Sequence, residues 1–326
     1  KYEDILFAGS GETIDEIGKS ATYLLKEDCY AGGDVIVFSP KSANSLFLSY
    51  FLNFGEGRKK LRELGQGQSI VHIYKSDMED LKLHLPSLLE QNHIVSVLET
   101  WDKYVENLNK KIEIKKQIKK GLMQDLLTGR KRLSGYKDKW DIYTIGSVCN
   151  LYQPKTITSA DVKEFGEYKV YGANGVIGFY DKYNHENKEV IITCRGSTCG
   201  TINYTEPKCW ITGNAMVATP KNNQLDKDYL FYILNFMNLK SVITGMAQPQ
   251  ITGKDLSPFK LKLPKIEEQK EIAKILIITD IENVELERKL EIIKEQKRFL
   301  LNNLITGAIR TPENMQLSDK IGQLRT

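Results

Sequence analysis

The feature that most constrains how this chain can fold is an internal repeat. Residues 85–132 align over residues 263–310 without a gap, and 18 of the 48 aligned positions are identical. The two copies open on "LPSLLEQ" and "LPKIEEQ" and close on "LTGRKR" and "ITGAIR". A gapless match of this length, called the helix repeat below, indicates a duplicated structural unit. The fold must therefore accommodate the same element twice.

Each copy of the helix repeat has the pattern of one long helix. A proline stands at the start of each copy, and Gly129 and Gly307 stand where a helix end favours a left-handed residue. Between these markers apolar residues recur at alternating steps of four and three, which is the period of a coiled-coil seam. About 40 residues, each rising about 1.5 Å, would make a rod of about 60 Å.

The two apolar stripes are expected to pack on each other, because neither is stable in water. We expect an antiparallel coiled coil with one globule at the N-terminal end of each helix. Lys115 and Lys119 occupy seam positions and would define the register, as polar seam residues can. The alternative is two unrelated amphipathic helices that each cover their own core. The predicted seam consists of Ile94, Leu98, Trp101, Val105, Leu108, Ile112, Leu122, Leu126, Ile272, Leu276, Leu286, Leu290, Ile293, Leu300 and Leu304.

The segments that precede the two helices also resemble each other. "CYAGGDVIVFSP" (29–40) matches "CWITGNAMVATP" (209–220), and "FLSYFLN" (47–53) matches "YLFYILN" (229–235). The prediction is therefore an α+β chain with two α/β globules, two long helices and pseudo-twofold internal symmetry. The second globule begins near Trp140, and the equivalent position would precede Lys1, so we expect the front of the first globule to lie outside this sequence. The predicted divisions are globule 1–84, helix 85–132, globule 133–262, helix 263–310 and tail 311–326.

The composition narrows the class of protein. The chain is 41% hydrophobic and 27% charged, values typical of a water-soluble protein. No apolar run approaches the roughly 20 residues needed to span a bilayer, and the start carries no basic segment of an export signal. Five cysteines, an odd number, then favour reduced thiols and a cytoplasmic location. The net charge of +4 is compatible with a polyanionic partner without requiring one.

Sequence motifs that would indicate nucleotide binding, metal binding or catalysis are weak in this chain. Gly18-Lys19-Ser20 resembles the end of a phosphate loop, but Thr13 stands where the loop needs glycine, so an NTPase is the weakest alternative. The spacing of Cys194, Cys199 and Cys209 does not suit zinc, which favours structural thiols. The four histidines are scattered and form no acid–base constellation. We therefore predict no catalytic residue, metal site or cofactor site in this chain.

A family resemblance rests on motifs in both globules and both helices. The first globule carries "GSGETIDEIGKSA" and "CYAGGDVIVF". The second carries "YKVYGANGVIGFYDKY", "IITCRGSTCGTI", "ITGNAMVATP" and "QPQITGKDL". With the LP…EQ helices and their (L/I)TG endings, the chain resembles the specificity (S) subunit of type I restriction–modification systems. The resemblance extends to about Thr311.

The resemblance implies a DNA-binding role without chemistry. Each globule would be a target recognition domain that reads one half of a bipartite, asymmetric sequence in double-stranded DNA. The helices would form a spacer that docks two methyltransferase (M) subunits and, through them, restriction (R) subunits, in a prokaryotic cytoplasm. S-adenosylmethionine, ATP and Mg²⁺ would then belong to the partners, and the complex would methylate adenine or cleave foreign DNA. A coiled-coil scaffold with no DNA role is the alternative from another class.

Candidate DNA contacts are polar residues in glycine-rich turns, because a close duplex requires small backbone and projecting donors. Arginine suits guanine edges and amides suit adenine edges, and a solvated turn is the alternative for each residue. The segment "GQGQS" in the first globule is expected to be the counterpart of "AQPQ" in the second. The basic run at 110–132 is either a phosphate-facing surface or a solvated helix face. The candidates are Ser10, Glu12, Thr13, Gln66, Gln68, Ser69, Tyr171, Gly172, Asn174, Gly175, Arg195, Gly196, Ser197, Thr198, Gln248 and Gln250.

Overall fold

The computed structural model describes residues 1–27, 29–67, 69–237, 239–245 and 248–316, in two compact units. Unit 2 comprises Ile112–Glu285, and unit 1 comprises Lys1–Lys111 together with the chain from Leu286 onward. Each unit therefore holds one globule and one half of each long helix. This division cuts both long helices.

Unit 1 combines short strands and helices with the start of the first long helix. The elements in chain order are β1 (Ile5–Ala8), β2 (Ser10–Gly11), β3 (Ser20–Thr22), β4 (Val35–Phe38), α1 (Ser45–Asn53), α2 (Gly55–Glu63), β5 (Val71–His72), α3 (Lys75–Glu79) and α4 (Leu88–Leu127). A three-stranded antiparallel sheet has the order β3-β1-β4, and a separate ladder joins β2 to β5. Asn44 caps α1 by accepting a 3.0 Å hydrogen bond from the amide of Phe47, which satisfies one of the free amides of the first helical turn.

Unit 2 has more strands than unit 1. The elements are β6 (Asp141–Thr144), α5 (Ile145–Val148), β7 (Cys149–Tyr152), β8 (Tyr168–Gly172), β9 (Gly175–Tyr180), β10 (Val190–Thr193), β11 (Ile202–Tyr204), β12 (Trp210–Ile211), β13 (Ala215–Pro220), α6 (Lys227–Phe236), α7 (Gly253–Leu256), β14 (Lys260–Leu263) and α8 (Ile266–Ile305). They form a four-stranded sheet in the order β11-β10-β13-β7, a three-stranded sheet in the order β12-β8-β9, and the pair β14-β6. Asp226 caps α6 as Asn44 caps α1, by accepting from the amide of Tyr229 at 2.9 Å.

The main sheet of each unit has a central strand that pairs with its two neighbours in the same pattern. In unit 1, Ile5 lies opposite both Thr22 and Phe38, and in unit 2 Val190 lies opposite Tyr204 and Ala218 in the same way. Strands β3-β1-β4 therefore correspond to β11-β10-β13. Unit 2 adds β7 outside β13, and no described residue of unit 1 forms a strand at the equivalent edge of β4.

The two long helices pack together and run in opposite directions. In unit 1, Leu98 near the start of α4 shares a core with Leu304 near the end of α8. In unit 2, Leu126 near the end of α4 shares a core with Ile272 near the start of α8. The predicted antiparallel pairing is thus confirmed, and all the predicted seam residues are buried or half-buried. Each helix ends before a glycine with positive φ, +71° after α4 and +74° after α8.

Candidate nucleic-acid interface

In unit 1, backbone hydrogen bonds hold two candidate segments side by side. Ser10 pairs with His72 across the β2–β5 ladder. His72 in turn exchanges two hydrogen bonds with Gln66, at 2.9 and 2.8 Å between amide nitrogen and carbonyl oxygen. We call this arrangement platform 1, residues 9–13, 66–67 and 69–72.

Unit 2 contains the same arrangement at its own candidate segments. Arg195 bridges to Gln250, and Gln250 exchanges two hydrogen bonds with Thr244, at 2.9 and 2.8 Å. The amide of Gly196 also donates to the carbonyl oxygen of Pro249 at 3.1 Å. We call this arrangement platform 2, residues 194–198 with 244 and 248–250. The structure thus brings together two candidate segments that lie far apart in the sequence.

The hydrogen bonds show which residues of the two platforms correspond. The amide of Ile73 donates to the carbonyl of Gly9, and the amide of Ile251 donates to the carbonyl of Cys194, both at 2.9 Å. On this register the corresponding pairs are Ser10 with Arg195, His72 with Gln250, and Gln66 with Thr244. The segments that contain "GQGQS" and "AQPQ" therefore occupy corresponding places, but the described glutamines do not coincide, because Gln66 lies at the position of Thr244 and Gln250 at that of His72.

Platform 2 presents an exposed arginine on a tight turn. Gly196 has φ of +88°, a conformation that favours glycine, and its carbonyl accepts from the amide of Cys199 at 3.0 Å. Arg195 and Ser197 are exposed on either side of this glycine, and Thr198 is half-buried. The turn therefore projects the guanidinium from a backbone that is held by its own hydrogen bonds.

The hairpin loop between β8 and β9 is joined to platform 2. The hydroxyl of Thr193, next to the platform, donates to the carbonyl oxygen of Ala173. Asn174 is exposed at the hairpin tip, and Gly175 has φ of +90° with open space where a Cβ would lie. Asn174 is therefore placed at the same end of the unit as Arg195.

Two candidates of this hairpin are core residues. Tyr171 has only 6% of its surface exposed, and its hydroxyl accepts a 3.0 Å hydrogen bond from the amide of Glu206. This residue belongs to the small core that also contains Ile211. Gly172 is buried as well, and a Cβ there would lie 2.7 Å from a side-chain carbon of Ile177. Neither residue presents a side chain to a ligand, so both are removed from the candidate surface.

The turn that follows β2 is built by two charged residues that the sequence did not single out. The carboxylate of Glu16 accepts from the amides of Glu12 and Thr13, at 3.0 and 3.3 Å. The guanidinium of Arg58 donates to the carbonyl of Ile17 at 2.7 Å. Glu12 and Thr13 are exposed on this turn, and a carboxylate there suits the amino group of cytosine and not a phosphate.

The remaining candidates lie on the second segment of each platform. In platform 1, Gln66 and Ser69 are exposed, and Gln68 lies outside the described residues. In platform 2, Gln248 and Gln250 are exposed. Their side chains are therefore open to a ligand.

Sequence reasoning missed His72 and a loop of unit 2. His72 stacks on Tyr74, with ring centroids 6.1 Å apart, and carries the ladder that defines platform 1. In unit 2, the hydroxyl of Thr156 accepts from the amide of Gly213 at 3.1 Å. The next residue, Asn214, accepts a hydrogen bond at its carbonyl from the amide of Cys194 in platform 2. A single histidine in a β-like run, or a "QPKT" loop, carries no spacing signal that could have identified them.

The candidate phosphate loop is part of the sheet structure. The amide of Gly18 donates to the carbonyl of Ala8 at 2.7 Å, and the amide of Ser20 donates to the side chain of Asn53 at 2.9 Å. A phosphate loop requires such amides to face the phosphates. Here they serve β1 and α1, so the segment has no arrangement for nucleotide binding.

Of the four cysteines of unit 2, Cys149, Cys194 and Cys209 are buried and Cys199 is half-buried. Burial raises the pKa of Cys149 to about 12 and also raises the pKa of Cys194 and Cys209. Each thiol therefore stays protonated at neutral pH. Cys29 in unit 1 is exposed. Within the described part of the chain, no cluster of three or more His, Cys, Asp or Glu side chains could hold a metal ion.

The basic run at 110–132 is largely engaged in ion pairs. Lys115 contacts Glu282 at 2.6 Å, and Arg132 contacts the buried carboxylate of Glu268 at 2.7 Å. Six of the nine basic residues pair with carboxylates: Lys110, Lys115, Lys119, Arg130, Lys131 and Arg132. Three of these pairs, those of Lys115, Lys119 and Arg132, are made with carboxylates of α8, so part of the run contributes to the packing of the two helices.

Among the residues that the structure describes, no helix is both long and apolar enough to cross a bilayer.

Comparisons with known proteins agree on one family. The sequence profile of the type I restriction modification DNA specificity domain matches residues 2–120 and 137–295. The putative type I restriction enzyme MjaX specificity subunit of Methanocaldococcus jannaschii is 26% identical, over 94% of this chain and 78% of its own length. The MjaVIII specificity subunit of the same organism is 27% identical, over 83% and 71%. The crystal structure of a type I S subunit from M. genitalium superposes with a TM-score of 0.65, at 20% identity, over 93% of this chain and 82% of that chain.

Proposed function

This chain belongs to the family of type I restriction modification DNA specificity domains, and we propose that its two platforms read the two halves of a bipartite, asymmetric DNA sequence. As a specificity subunit it carries no chemistry of its own. Methylation and cleavage are the work of other subunits, which this chain directs to a target.

The observation that carries the proposal is the shared ladder of the two platforms. Residues 10, 72 and 66 in unit 1 and residues 195, 250 and 244 in unit 2 have the same backbone bridges. The side chains on this common backbone differ: Ser10, His72 and Gln66 against Arg195, Gln250 and Thr244. A shared backbone with different polar side chains is what two readers of different base sequences require.

The chemistry of the side chains indicates how each platform would read DNA. Arg195 can donate to both acceptors of a guanine edge, and Gln250 can pair with the amino group and N7 of adenine. In platform 1, Ser10 and His72 offer short donors and acceptors. Because the side chains differ, the two half-sites are expected to differ in sequence.

The long helices are the proposed docking surface for partners. We propose that they bind two methyltransferase subunits, through which restriction subunits join, in the cytoplasm of a prokaryote. S-adenosylmethionine, ATP and Mg²⁺ would then be held by those partners. The proposal is supported by the family and by the exposed apolar side chains on α4 and α8, among them Ile114, Ile278, Ile281, Val284 and Phe299.

Reconstitution with methyltransferase subunits from the same genome tests the function. The methylated motif of that genome gives the target duplex, and a duplex with one half-site scrambled is the control. We expect the complex to bind the target about 10³-fold or more tightly than the control at physiological salt. Equal binding of both duplexes by a stably assembled complex would favour the scaffold without a DNA role.

A chimera locates each half-site. Platform 2 of this chain would be replaced by the equivalent residues of a relative with a different methylated motif. We expect only one half of the motif to change. A change in both halves, or in neither, would contradict the assignment of one half-site to each platform.

A further inference from the structure

The hairpin formed by β8 and β9 in unit 2 contains a β-bulge at Ile177. Val170 lies opposite Gly178 and Tyr171 lies opposite Val176, so Ile177 is one residue more than the ladder accommodates. In a regular strand the side chains of neighbouring residues point to opposite faces, and a bulge interrupts this alternation. Val176 and Ile177 are both exposed, over 47% and 51% of their surface. The bulge therefore leaves two adjacent apolar side chains outside the core.

The side chain of Ile177 lies at the end of the hairpin that adjoins platform 2. A Cβ at Gly172 would lie 2.7 Å from the Cγ2 atom of Ile177, so the isoleucine packs against this glycine. The next residue, Ala173, accepts the hydrogen bond from the hydroxyl of Thr193 that joins the hairpin to platform 2. Asn174 is exposed at the tip. The bulge thus places an apolar side chain close to the polar candidates for DNA contact.

The surface around this hairpin is complementary in charge to a polyanion. The amide of Cys194 donates to the carbonyl of Asn214 at 3.2 Å, which joins the turn at 212–216 to platform 2. The segments that hydrogen bonds join at this end of the unit contain no acidic residue, although 42 of the 326 residues of the chain are acidic. Lys155 and Arg195 are exposed among them, so a DNA duplex would meet no like charge here. The segments are 153–158, 172–178, 193–201, 212–216 and 248–252.

An exposed aliphatic side chain on a DNA-facing surface has one specific partner in the major groove. Thymine presents its C5 methyl group there, and the other three bases present only hydrogen-bond donors and acceptors. The amide of Asn174, on the same hairpin, suits the donor and acceptor of adenine. The combination of an amide and a bulged isoleucine is therefore suited to an A·T base pair.

We propose that Ile177 contacts the methyl group of a thymine in the half-site that platform 2 reads, and that the hairpin thereby selects an A·T pair at this position. Gly172 leaves the space in which the isoleucine side chain lies, and the bulge keeps that side chain outside the core. The proposal rests on the proposed function of platform 2 as a reader of DNA. It adds a residue that determines specificity by apolar contact.

Replacement of single thymines by deoxyuridine tests the contact in the unaltered protein. Deoxyuridine lacks only the methyl group and keeps the base pair, so the change isolates the proposed interaction. The reconstituted complex and the methylated motif of the genome supply the protein and the duplex. We expect one deoxyuridine position in the half-site of platform 2 to weaken binding about fourfold, the value of one buried methyl group.

A variant assigns this effect to the isoleucine. In Ile177→Ala, binding of the thymine duplex is expected to fall about fourfold, and the same deoxyuridine is expected to have no further effect, because each change removes one side of a single contact. Ile142→Ala is the matched control, since Ile142 on β6 is an isoleucine of the same unit that is 68% exposed. It should keep both the affinity and the deoxyuridine effect. Thermal unfolding of each variant checks that it folds.

Three outcomes would overturn the proposal. One is a half-site of platform 2 that contains no A·T pair. Another is a deoxyuridine effect that is absent in the unaltered complex or undiminished in Ile177→Ala. The last is an Ile177→Ala complex that assembles more weakly without DNA, which would assign the side chain to a methyltransferase subunit. Failure of the proposed function looks different, because the unaltered complex would then not distinguish the target from the scrambled duplex.

Discussion

The hydroxyl of Tyr50 donates a 2.9 Å hydrogen bond to the carboxylate of Asp102, and the ammonium of Lys297 pairs with the same carboxylate. Asp102 thereby joins a globule residue on α1 and a residue of α8 to the helix α4. Unit 2 contains the same triad, with Tyr232 on α6, Asp280 on α8 and Lys119 on α4. The aspartate and the lysine are both identical in the helix repeat.

Removal of the tyrosine hydroxyl tests the contribution of these triads. We expect Tyr50→Phe and Tyr232→Phe each to lower the free energy of unfolding by about 1 kcal/mol, because a half-buried carboxylate loses one donor. The matched control is Tyr30→Phe, since Tyr30 is fully exposed. Urea denaturation measures the change. A loss in the control equal to that in the triad variants would show that the triad bond contributes nothing of its own.

The pair between Glu90 and Arg310 predicts a dependence of stability on acid pH. Hydrogen bonds from Arg310 hold the pKa of Glu90 below its ordinary value, against the opposing effect of burial. The contribution is therefore complete above the unfolded-state pKa of about 4.3 and is lost as the pH falls through the lower folded-state value. We expect Glu90→Gln to reduce the stability difference between pH 6 and pH 3, measured by urea unfolding at each pH. Glu295→Gln, at an exposed helix position, should leave that difference unchanged.

The glycines that follow α4 and α8 are expected to differ in how much stability the protein loses when each is replaced by alanine. Both have positive φ, so alanine at either position costs about 1 kcal/mol of backbone strain. At Gly129 the added Cβ would also lie 3.3 Å from the ring of Trp140, whereas at Gly307 it would meet no atom within 4 Å. We expect Gly129→Ala to lower the thermal midpoint more than Gly307→Ala. Equal shifts would mean that Trp140 moves aside without cost.

Arg195 predicts the specificity of one half-site. In the reconstituted complex, Arg195→Ala is expected to reduce discrimination at a single base pair by about tenfold to a hundredfold, the range of a lost bidentate contact. Lys254→Ala, at an exposed position of the same unit, is the control and should leave base discrimination unchanged. Competition binding with duplexes that vary at each position measures this effect. A uniform loss of affinity across all duplexes would show that Arg195 contacts a phosphate.

The helices were the most predictable part of the fold. Their apolar period, the proline at each start and the glycine at each end are local signals, and α4 and α8 lie inside the predicted ranges with 40 residues each. The correspondence of the globules was only partly predictable. The match of Val37 with Val217 agrees with the strand register, but the same offset would have placed Ile5 over His185 and not over Val190. The turns between the strands differ in length in the two units. A single shift of one sequence against the other therefore cannot align both pairs of strands.

The candidate contacts were less predictable, because exposure depends on which face of a strand turns inward. Asn174 and Tyr171 belong to one glycine-rich hairpin, yet the first is exposed and the second is part of the core. His72 carried no signal, although it pairs with Ser10 at the centre of platform 1.

The sequence by itself determined that one unit occurs twice and that two long helices bury a common seam, because period and repetition are properties of neighbouring residues along the chain. Only the tertiary structure decided that Ser10 lies beside His72 and Arg195 beside Gln250. Those relationships join segments that are distant along the chain. They follow from strand pairing and packing, which no local pattern of residues specifies.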